Sequence, residues 1–274
     1  MNIRQEQLNS NITVEFPEIT EGCISQGNDE YCLVRSRDSE MEVRFHEYQT
    51  IYTVEGLYEH LFYQKLKCCS PQMICSQLRR ELKKSQIPPD KLRVLDFGAG
   101  NGMVAEELQR MGVQNVVGLD IIEEAGLAAR RDRPHVYDNY YVADVIDLPK
   151  SLYTKLKDYR FNCLVTVAAL GFDDVPPLAF AEAYNLISSP GWVAFNIKEH
   201  FLEDGDQSGF SHLVHQMIDH GIMDLRISSR YRHRYCLDGT PLYYVAIVGR
   251  KQNNIPDKWL HRMRTINRFH MGAT

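Results

Sequence analysis

The hydrophobic positions change period along the chain. Between residues 56 and 84, Leu57, Leu61, Leu66, Ile74, Leu78 and Leu82 recur at helical spacings, with a break near Ser70-Pro71. Pro88-Pro89 closes this segment, because proline disfavours helix in the residue before it. Beyond it, short apolar runs alternate with helical periods. Strands are predicted at 92–96, 116–120, 140–144, 161–168 and 192–197, and helices at 103–111, 123–131 and 178–187. This alternation predicts a mostly parallel sheet covered on both faces, a doubly wound α/β fold. The ending differs. Phe210, Leu213, Val214, Met217 and Ile218 mark one helix face that Gly221 terminates. Two strands follow, near 223–229 and 242–248, with Asp238-Gly239 as a turn between them, so the sheet should finish in an antiparallel β-hairpin. Residues 1–45 read as an irregular arm with one hairpin, from runs at 31–34 and 41–45. The expected organisation is an N-terminal arm and helical lid over 1–89, a main α/β domain over 90–250 and a basic tail over 251–274.

Composition adds bounds rather than identity. The 274 residues are 44% hydrophobic and 24% charged, close to the globular average, and exclude collagen, coiled coil and wholesale disorder. The net charge of -5 argues against a chain that binds nucleic acid over its whole surface. Seven cysteines without a C-x-x-C pair argue against a zinc ribbon or thioredoxin-type site and suit reduced thiols in the cytoplasm. The first residues lack the apolar stretch of a secretory signal, and no apolar run reaches the ~20 residues of a membrane span.

The chemistry concentrates in Asp96-Phe97-Gly98-Ala99-Gly100-Asn101-Gly102, between the first strand and first helix of the main domain. Glycines there let the backbone turn tightly and let a ligand approach, and the helix N-terminus offers unpaired N–H groups. Asp120 ends the next strand, facing the same crevice, where a carboxylate can accept both hydroxyls of a ribose. The spacing is G-x-G-x-G, with Met103 where the dinucleotide fingerprint has its third glycine. A dinucleotide or another nucleoside would fit these features.

This stretch resembles the first motif of class I S-adenosylmethionine-dependent methyltransferases, and the resemblance extends over about residues 90–250. It implies a seven-stranded sheet whose last strand runs antiparallel. It further implies that Gly98, Ala99 and Gly100 cradle the methionine part of S-adenosylmethionine, with Asp96 near its amino group. Asp120, with Ile121 beside it, would bind the ribose. Asp144, with Val145, would read the adenine amine. Thr166, Val167 and Ala168 would lie beside the methyl-transfer site. The product cofactor would be S-adenosylhomocysteine.

Methyl transfer from a sulfonium is an in-line displacement that needs alignment first and a base only for some acceptors. Glu199 and His200, at the end of the fifth strand, are the candidate acceptor-orienting or basic residues. Asp173 and Asp174, ahead of Pro176-Pro177, fit a helix start. The loop from Val167 lacks an N-P-P-Y sequence and the chain has no Pro-Cys pair, so two nucleic-acid and amide methylation signatures are missing. Cys68, Cys69 and Cys75 invite comparison with thiol binding of arsenite, but an apolar helix explains them as packing. His212 and His215 should be solvent-exposed, and no metal is expected.

Upstream, Tyr48, Tyr52, Tyr58, Phe62 and Tyr63 form an aromatic cluster. In related methyltransferases the segment before the first strand often closes over the cofactor. Tyr48 and Tyr52 are the candidates for that contact, with Lys67 behind them. From Asp224 onward the chain carries ten Lys or Arg against three Asp or Glu. Arg226, Arg230, Arg232 and Arg234 alternate along one strand and should share a face. The expected partner is a small-molecule acceptor, without a membrane. RNA or protein held by the basic C-terminus, and a non-catalytic cofactor-binding subunit, are the alternatives. The sequence leaves the oligomeric state open.

Overall fold

The computed structural model describes residues 4–8, 11–17, 30–37, 39–170, 175–203 and 205–271. Cys23, Gly171, Asp173 and Asp174 lie outside them. Among the described residues there are two sheets. An antiparallel meander of four strands, β1 (Arg4–Gln7), β2 (Thr13–Phe16), β3 (Tyr31–Arg35) and β4 (Glu40–Arg44), precedes the main sheet. The hairpin expected in the arm is β3–β4, and the two strands before it were not foreseen. Val14, Phe16, Cys32, Val34 and Val43 point to one face of this meander, following the period-2 alternation of strands. That face is covered by helix α1 (Tyr48–Thr53) and a π-helical turn, Glu59–Lys65, through Ile51, Leu57, Leu61 and Phe62.

The main sheet contains β5 (Arg93–Phe97), β6 (Asn115–Asp120), β7 (Asn139–Val142), β8 (Cys163–Leu170), β9 (Gly191–Lys198), β10 (Met223–Tyr235) and β11 (Pro241–Lys251). Its order is β10-β11-β9-β8-β5-β6-β7. Strands β5 to β9 are parallel, β11 runs antiparallel to β9, and β10 pairs antiparallel to β11 at the edge. The sheet is therefore doubly wound and mostly parallel and finishes in the expected hairpin.

Alternation along each strand feeds two cores. Val94, Val116, Cys163, Val165, Trp192 and Ala194 face helices α2 (Ser70–Lys84) and α3 (Met103–Arg110), meeting Ile74, Leu78, Val104 and Leu108. Leu95, Val117, Leu164, Val193 and Phe195 face the other way, against α5 (Lys150–Asp158), α6 (Pro177–Asn185) and α7 (Phe210–Asp219). Helix α2, grouped with the lid on periodicity, packs in the core of the main sheet. Helix α4 (Glu123–Asp132) instead buries Ala125 and Ala128 against Tyr52 of α1. No helix among the described residues is long and apolar enough to cross a membrane.

Two expectations about the C-terminal region change. The basic tail contains helix α8 (Asp257–Met271), whose Trp259, Leu260 and Met263 join the core beside α6 and α7. Its apolar stripe is narrow, so basic composition masked it. The four arginines of β10 do not share a face. Register shifts at Arg226 and His233 break the period-2 parity, so Arg230 stays exposed while Arg234 turns inward. The Arg234 and Glu30 side chains are 2% and 0% exposed, and Nη1 lies 2.6 Å from the Glu30 carboxylate. Glu30 also accepts the Leu237 N–H at 2.5 Å. Burial pushes the Glu30 carboxyl above its ordinary value, and Arg234 pulls in the opposite direction. This pair joins the start of β3 to the edge of the main sheet. Removing one partner strands a buried charge. Glu30→Ala should therefore cost about 3–5 kcal/mol in urea unfolding. The double variant Glu30→Ala/Arg234→Met should recover most of that loss, and equal losses in both would sink this account.

Candidate functional site

The C-terminal ends of β5, β6 and β8 converge on the glycine loop. Gly98, Gly100 and Gly102 adopt φ of +70°, +53° and +90°, a region that favours glycine. The close approaches are equally demanding. A Cβ on Gly98 would lie 2.9 Å from the Ala169 methyl, and one on Gly100 would lie 2.6 Å from the Tyr52 hydroxyl. Two strand ends then lock the loop. The Asp120 carboxylate accepts the Gly100 N–H at 2.8 Å and the Ile122 N–H at 2.9 Å, one on each oxygen. The Leu119 carbonyl accepts the Gly98 N–H at 2.9 Å. Each Asp120 oxygen retains a further lone pair for a ligand hydroxyl.

Two tyrosines that sequence reasoning missed support this loop from beneath. The Tyr137 hydroxyl donates to Asp96 Oδ2 at 2.8 Å and approaches the Ala99 carbonyl at 3.1 Å. The Tyr140 hydroxyl donates to the Gly100 carbonyl at 2.8 Å. The signal lay in Gly118 and Gly126. A Cβ at either would come within 2.8 or 3.0 Å of the Tyr140 ring, so glycine at both makes room for it.

A cleft opens over the loop. Its lining brings together Gly98, Ala99, Gly100, Asp120, Ile121 and Ala168 with Tyr48 and Tyr52, and adds Tyr58, Tyr63, Asn101 and Ile122. An adjoining cleft shares Gly98, Asp120 and Ile121 and continues to Asp144 and Val145, with Ile146, Ala179 and Arg264 completing its wall. Ile121 is 64% exposed between the two, an apolar surface left open to a ligand. Asp144 Oδ1 accepts the Ile146 N–H at 2.8 Å, so Asp144 caps a short 3-10 turn and also lines the cleft.

Asp96 and Thr166 sit under the loop rather than on the cleft surface, both fully buried. Asp96 Oδ1, Thr166 Oγ1 and Asn101 Oδ1 have no hydrogen-bond partner among the described residues. Burial pushes the Asp96 carboxyl up to about 7, against the pull of the Tyr137 hydrogen bond. A carboxyl raised in the folded state favours folding below its unfolded value and loses that contribution as pH rises through the folded value.

Glu199 and His200 are not brought to either cleft. Glu199 Oε1 accepts Arg230 Nε at 2.5 Å on the surface, and the His200 ring packs edge-on against Phe201 with 4.4 Å between centroids. The chain turns away from the loop there because Glu199–Leu202 forms a 3-10 turn directly after β9. Lys67 is exposed, at φ +55°, and lines neither cleft. His212 and His215 are exposed on α7. No group of three His, Cys, Asp or Glu among the described residues is arranged to hold a metal.

The aromatic lid is anchored through charge. Arg133 Nη1 donates to Glu59 Oε1 at 2.7 Å, and Arg133 Nε to Glu106 at 3.1 Å. Asn101 of the loop donates to the same Glu59 oxygen at 2.7 Å. Arg131 donates to the Tyr52 carbonyl at 3.2 Å. The Tyr52 and Tyr58 rings pack at 5.0 Å, and burial raises both phenols, which keeps them neutral hydrogen-bonding groups.

A nucleoside-bearing ligand fits this arrangement: a cradle that any Cβ would fill, a fixed carboxylate, an apolar platform and unpartnered polar atoms beneath. The methyltransferase-domain family matches residues 71–233, more than half of the chain. No curated protein matches significantly. Among solved structures, the chain is similar to a SAM-dependent methyltransferase from Anabaena variabilis, at 12% identity over 68% of this chain and 88% of that one, TM-score 0.48. It is also similar to the magnesium protoporphyrin IX methyltransferase of Synechocystis with bound SAM, at 12% identity over 66% and 79%, TM-score 0.46. A third is the ribosomal protein L11 methylase of Lactobacillus delbrueckii, at 16% identity over 65% and 79%, TM-score 0.43.

Asp96→Asn should flatten the fall in stability between about pH 4 and pH 7. Thermal unfolding of both proteins across that window is the check. A wild-type stability that rises over the same window, unchanged by the substitution, would contradict the assignment.

Proposed function

The chain belongs to the methyltransferase-domain family, and from that premise we propose that it moves a methyl group from S-adenosylmethionine to an O, N or S atom of a small-molecule acceptor. The observation that carries this reading is Asp120. Its two oxygens are held by Gly100 and Ile122 at the junction of both clefts, where the ribose of a nucleoside donor would bridge them. Gly98, Ala99 and Gly100 take the methionine part without a side-chain clash. Asp120 and Ile121 take the ribose. Asp144 and Val145 face the adenine, with the second Asp144 oxygen left for its amine. Tyr48 and Tyr52 close the methionine end. Ala168 lies at the far wall of the first cleft, and Thr166 sits just beneath the same strand end.

When bound, the donor supplies a sulfonium-activated methyl carbon, which an acceptor lone pair takes in line as the carbon–sulfur bond breaks and leaves S-adenosylhomocysteine. This chain's residues supply alignment and exclusion of water. Glu199 is engaged by Arg230 and neither Glu199 nor His200 reaches the clefts, which favours a reaction driven by alignment over one with either residue as base.

The tyrosine lid supports a small acceptor, because it roofs the loop from which a bulky substrate would have to approach. The basic C-terminus gives the rival reading little support. Arg226 pairs with Asp224, Arg230 with Glu199, Arg234 with Glu30 and Arg264 with Glu182. These are intramolecular commitments that an RNA backbone would have to displace. The described cysteines are free thiols, which supports a reducing compartment such as the cytoplasm.

Calorimetric titration with S-adenosylmethionine and S-adenosylhomocysteine should give saturable binding, weakened at least about tenfold in Asp120→Ala. Thermal unfolding of the variant in the same buffer separates lost contact from lost fold. Absence of binding by either ligand at millimolar concentration would refute the donor assignment. Salt-sensitive methyl transfer to total RNA would refute the small-molecule acceptor.

A further inference from the structure

The cleft that leads from Asp120 to Asp144 has a volume of about 510 Å³, within the range of small-molecule sites. Its lining is chemically one-sided. Asp120, Asp144 and Asp147 bring carboxylates, and the other side chains but one are apolar. The exception is Arg264, the single lining side chain with a positive charge and N–H donors.

Arg264 comes from an element beyond the family match. The matched residues end at 233, and α8 starts at Asp257. Leu260 and Met263 pack α8 against the core beside α6, and Arg264 lies one turn beyond Leu260 on the same side of the helix. Glu182, on α6, accepts a hydrogen bond from Arg264 Nη2. Glu182 does not line the cleft, so it holds the guanidinium from outside it. The N–H groups on Nε and Nη1 have no partner among the described residues. The result is a planar, permanently charged group tied at one corner and open at the others.

Adenine needs such a group. Its amine donates and suits a carboxylate. Its ring nitrogens N1, N3 and N7 carry lone pairs that a carboxylate repels, and its π face attracts a cation. A wall of carboxylates alone would hold the ribose hydroxyls and the amine while opposing the rest of the base. We infer that Arg264 is a specificity-determining residue of the donor site, its guanidinium held by Glu182 as the cationic contact of the adenine ring. The inference rests on S-adenosylmethionine as the donor and adds a residue that selects for the base rather than for the amino-acid end. The C-terminal helix thereby becomes part of the donor site.

Calorimetric titration of the full chain with three ligands tests it. S-Adenosylhomocysteine carries base, ribose and amino acid. S-Ribosylhomocysteine lacks the base, and 5′-methylthioadenosine lacks the amino acid. Arg264→Ala and Arg264→Met should each weaken S-adenosylhomocysteine and 5′-methylthioadenosine by the same factor, about fivefold, the worth of a cation on an aromatic ring at a half-exposed position. S-Ribosylhomocysteine, followed at millimolar concentration, should bind both variants as it binds the wild type. Asp120→Ala should weaken all three, since all carry the ribose. The Arg264 side chain is 44% exposed, so thermal unfolding of its variants should stay close to that of the wild type. Arg264→Met keeps most of the apolar stem, so a displaced helix would show as a difference between the two variants. Unchanged binding of S-adenosylhomocysteine or 5′-methylthioadenosine in both variants, or an equal loss for S-ribosylhomocysteine, overturns the inference and leaves the donor reading standing. A wild type that binds none of the three overturns both.

Discussion

A buried carboxylate at the end of β6 organises the molecule's working end. Asp120 is 8% exposed, and burial raises its carboxyl above the ordinary range, while the N–H groups of Ile122 and Gly100 pull it back. Those two bonds set the direction of the glycine loop and of the chain leaving β6 at once. With the loop so fixed, its carbonyls at Ala99 and Gly100 fall within reach of Tyr137 and Tyr140, and its side-chain-free surface faces the cleft. An anion placed there without donors would be expelled or protonated. With them, it remains an acceptor whose spare lone pairs face a ligand. Binding and local folding therefore draw on the same group.

The N-terminal layer depends on that geometry in turn. Asn101 follows Gly100 in the loop and shares the Glu59 carboxylate with Arg133. Any rotation of the loop would break the Asn101 bond to Glu59 and the Arg133 bond to the Asn101 carbonyl, and the Tyr52 hydroxyl already occupies the space a side chain at residue 100 would need. The lid is thus registered against the loop by hydrogen bonds and by exclusion. A further attachment, Arg234 with Glu30, lies at the far edge of the sheet. These polar anchors and the apolar packing between them hold an aromatic wall over a cleft whose floor is backbone.

Much of this was legible in the sequence, and what was not has identifiable causes. The strands of the main sheet carry unbroken apolar runs because both faces are buried, and the glycine loop and Asp120 are recognisable by spacing. Helix α5 fully buries only Leu156, and its stripe of Leu148, Leu152, Leu156 and Tyr159 is broken up by lysines, so it is faint in the sequence. Strands β1 and β2 are four residues each, too short for alternation to register. The arginines of β10 misled because a period-2 rule holds only until a bulge, and no residue type announces the register shifts at Arg226 and His233. Glu199 and His200 were placed by a rule about strand ends that is sound for β5 and β6 but fails where a 3-10 turn redirects the chain. Tyr137 and Tyr140 left no mark because the Asp96 carboxylate and the Ala99 and Gly100 carbonyls that their hydroxyls meet come beside them only in the fold.

The bulge in β10 also accounts for the most elaborate polar cluster in the core. An uninterrupted strand would send Arg234 to the same face as Arg232, and Glu30 would then be an unpaired buried acid. The extra residue at His233 instead lets Tyr231 and Arg234 both turn toward the α2 side of the sheet. There Tyr231 meets Ser70, the first residue of α2, and Asn196 of β9. One backbone irregularity at the sheet edge thus brings together groups from three elements, each with its hydrogen bonds met. Such a network is costly to leave half-satisfied. Its far end is the peptide N–H of Ala168, a residue held at positive φ where β8 meets the cleft. A buried cluster needed only for stability could have been replaced by apolar side chains at little cost. One that runs from a backbone position at positive φ beside the cleft, through Asn196, Tyr231 and Ser70, to the buried His233 ring has a geometry that apolar packing cannot supply.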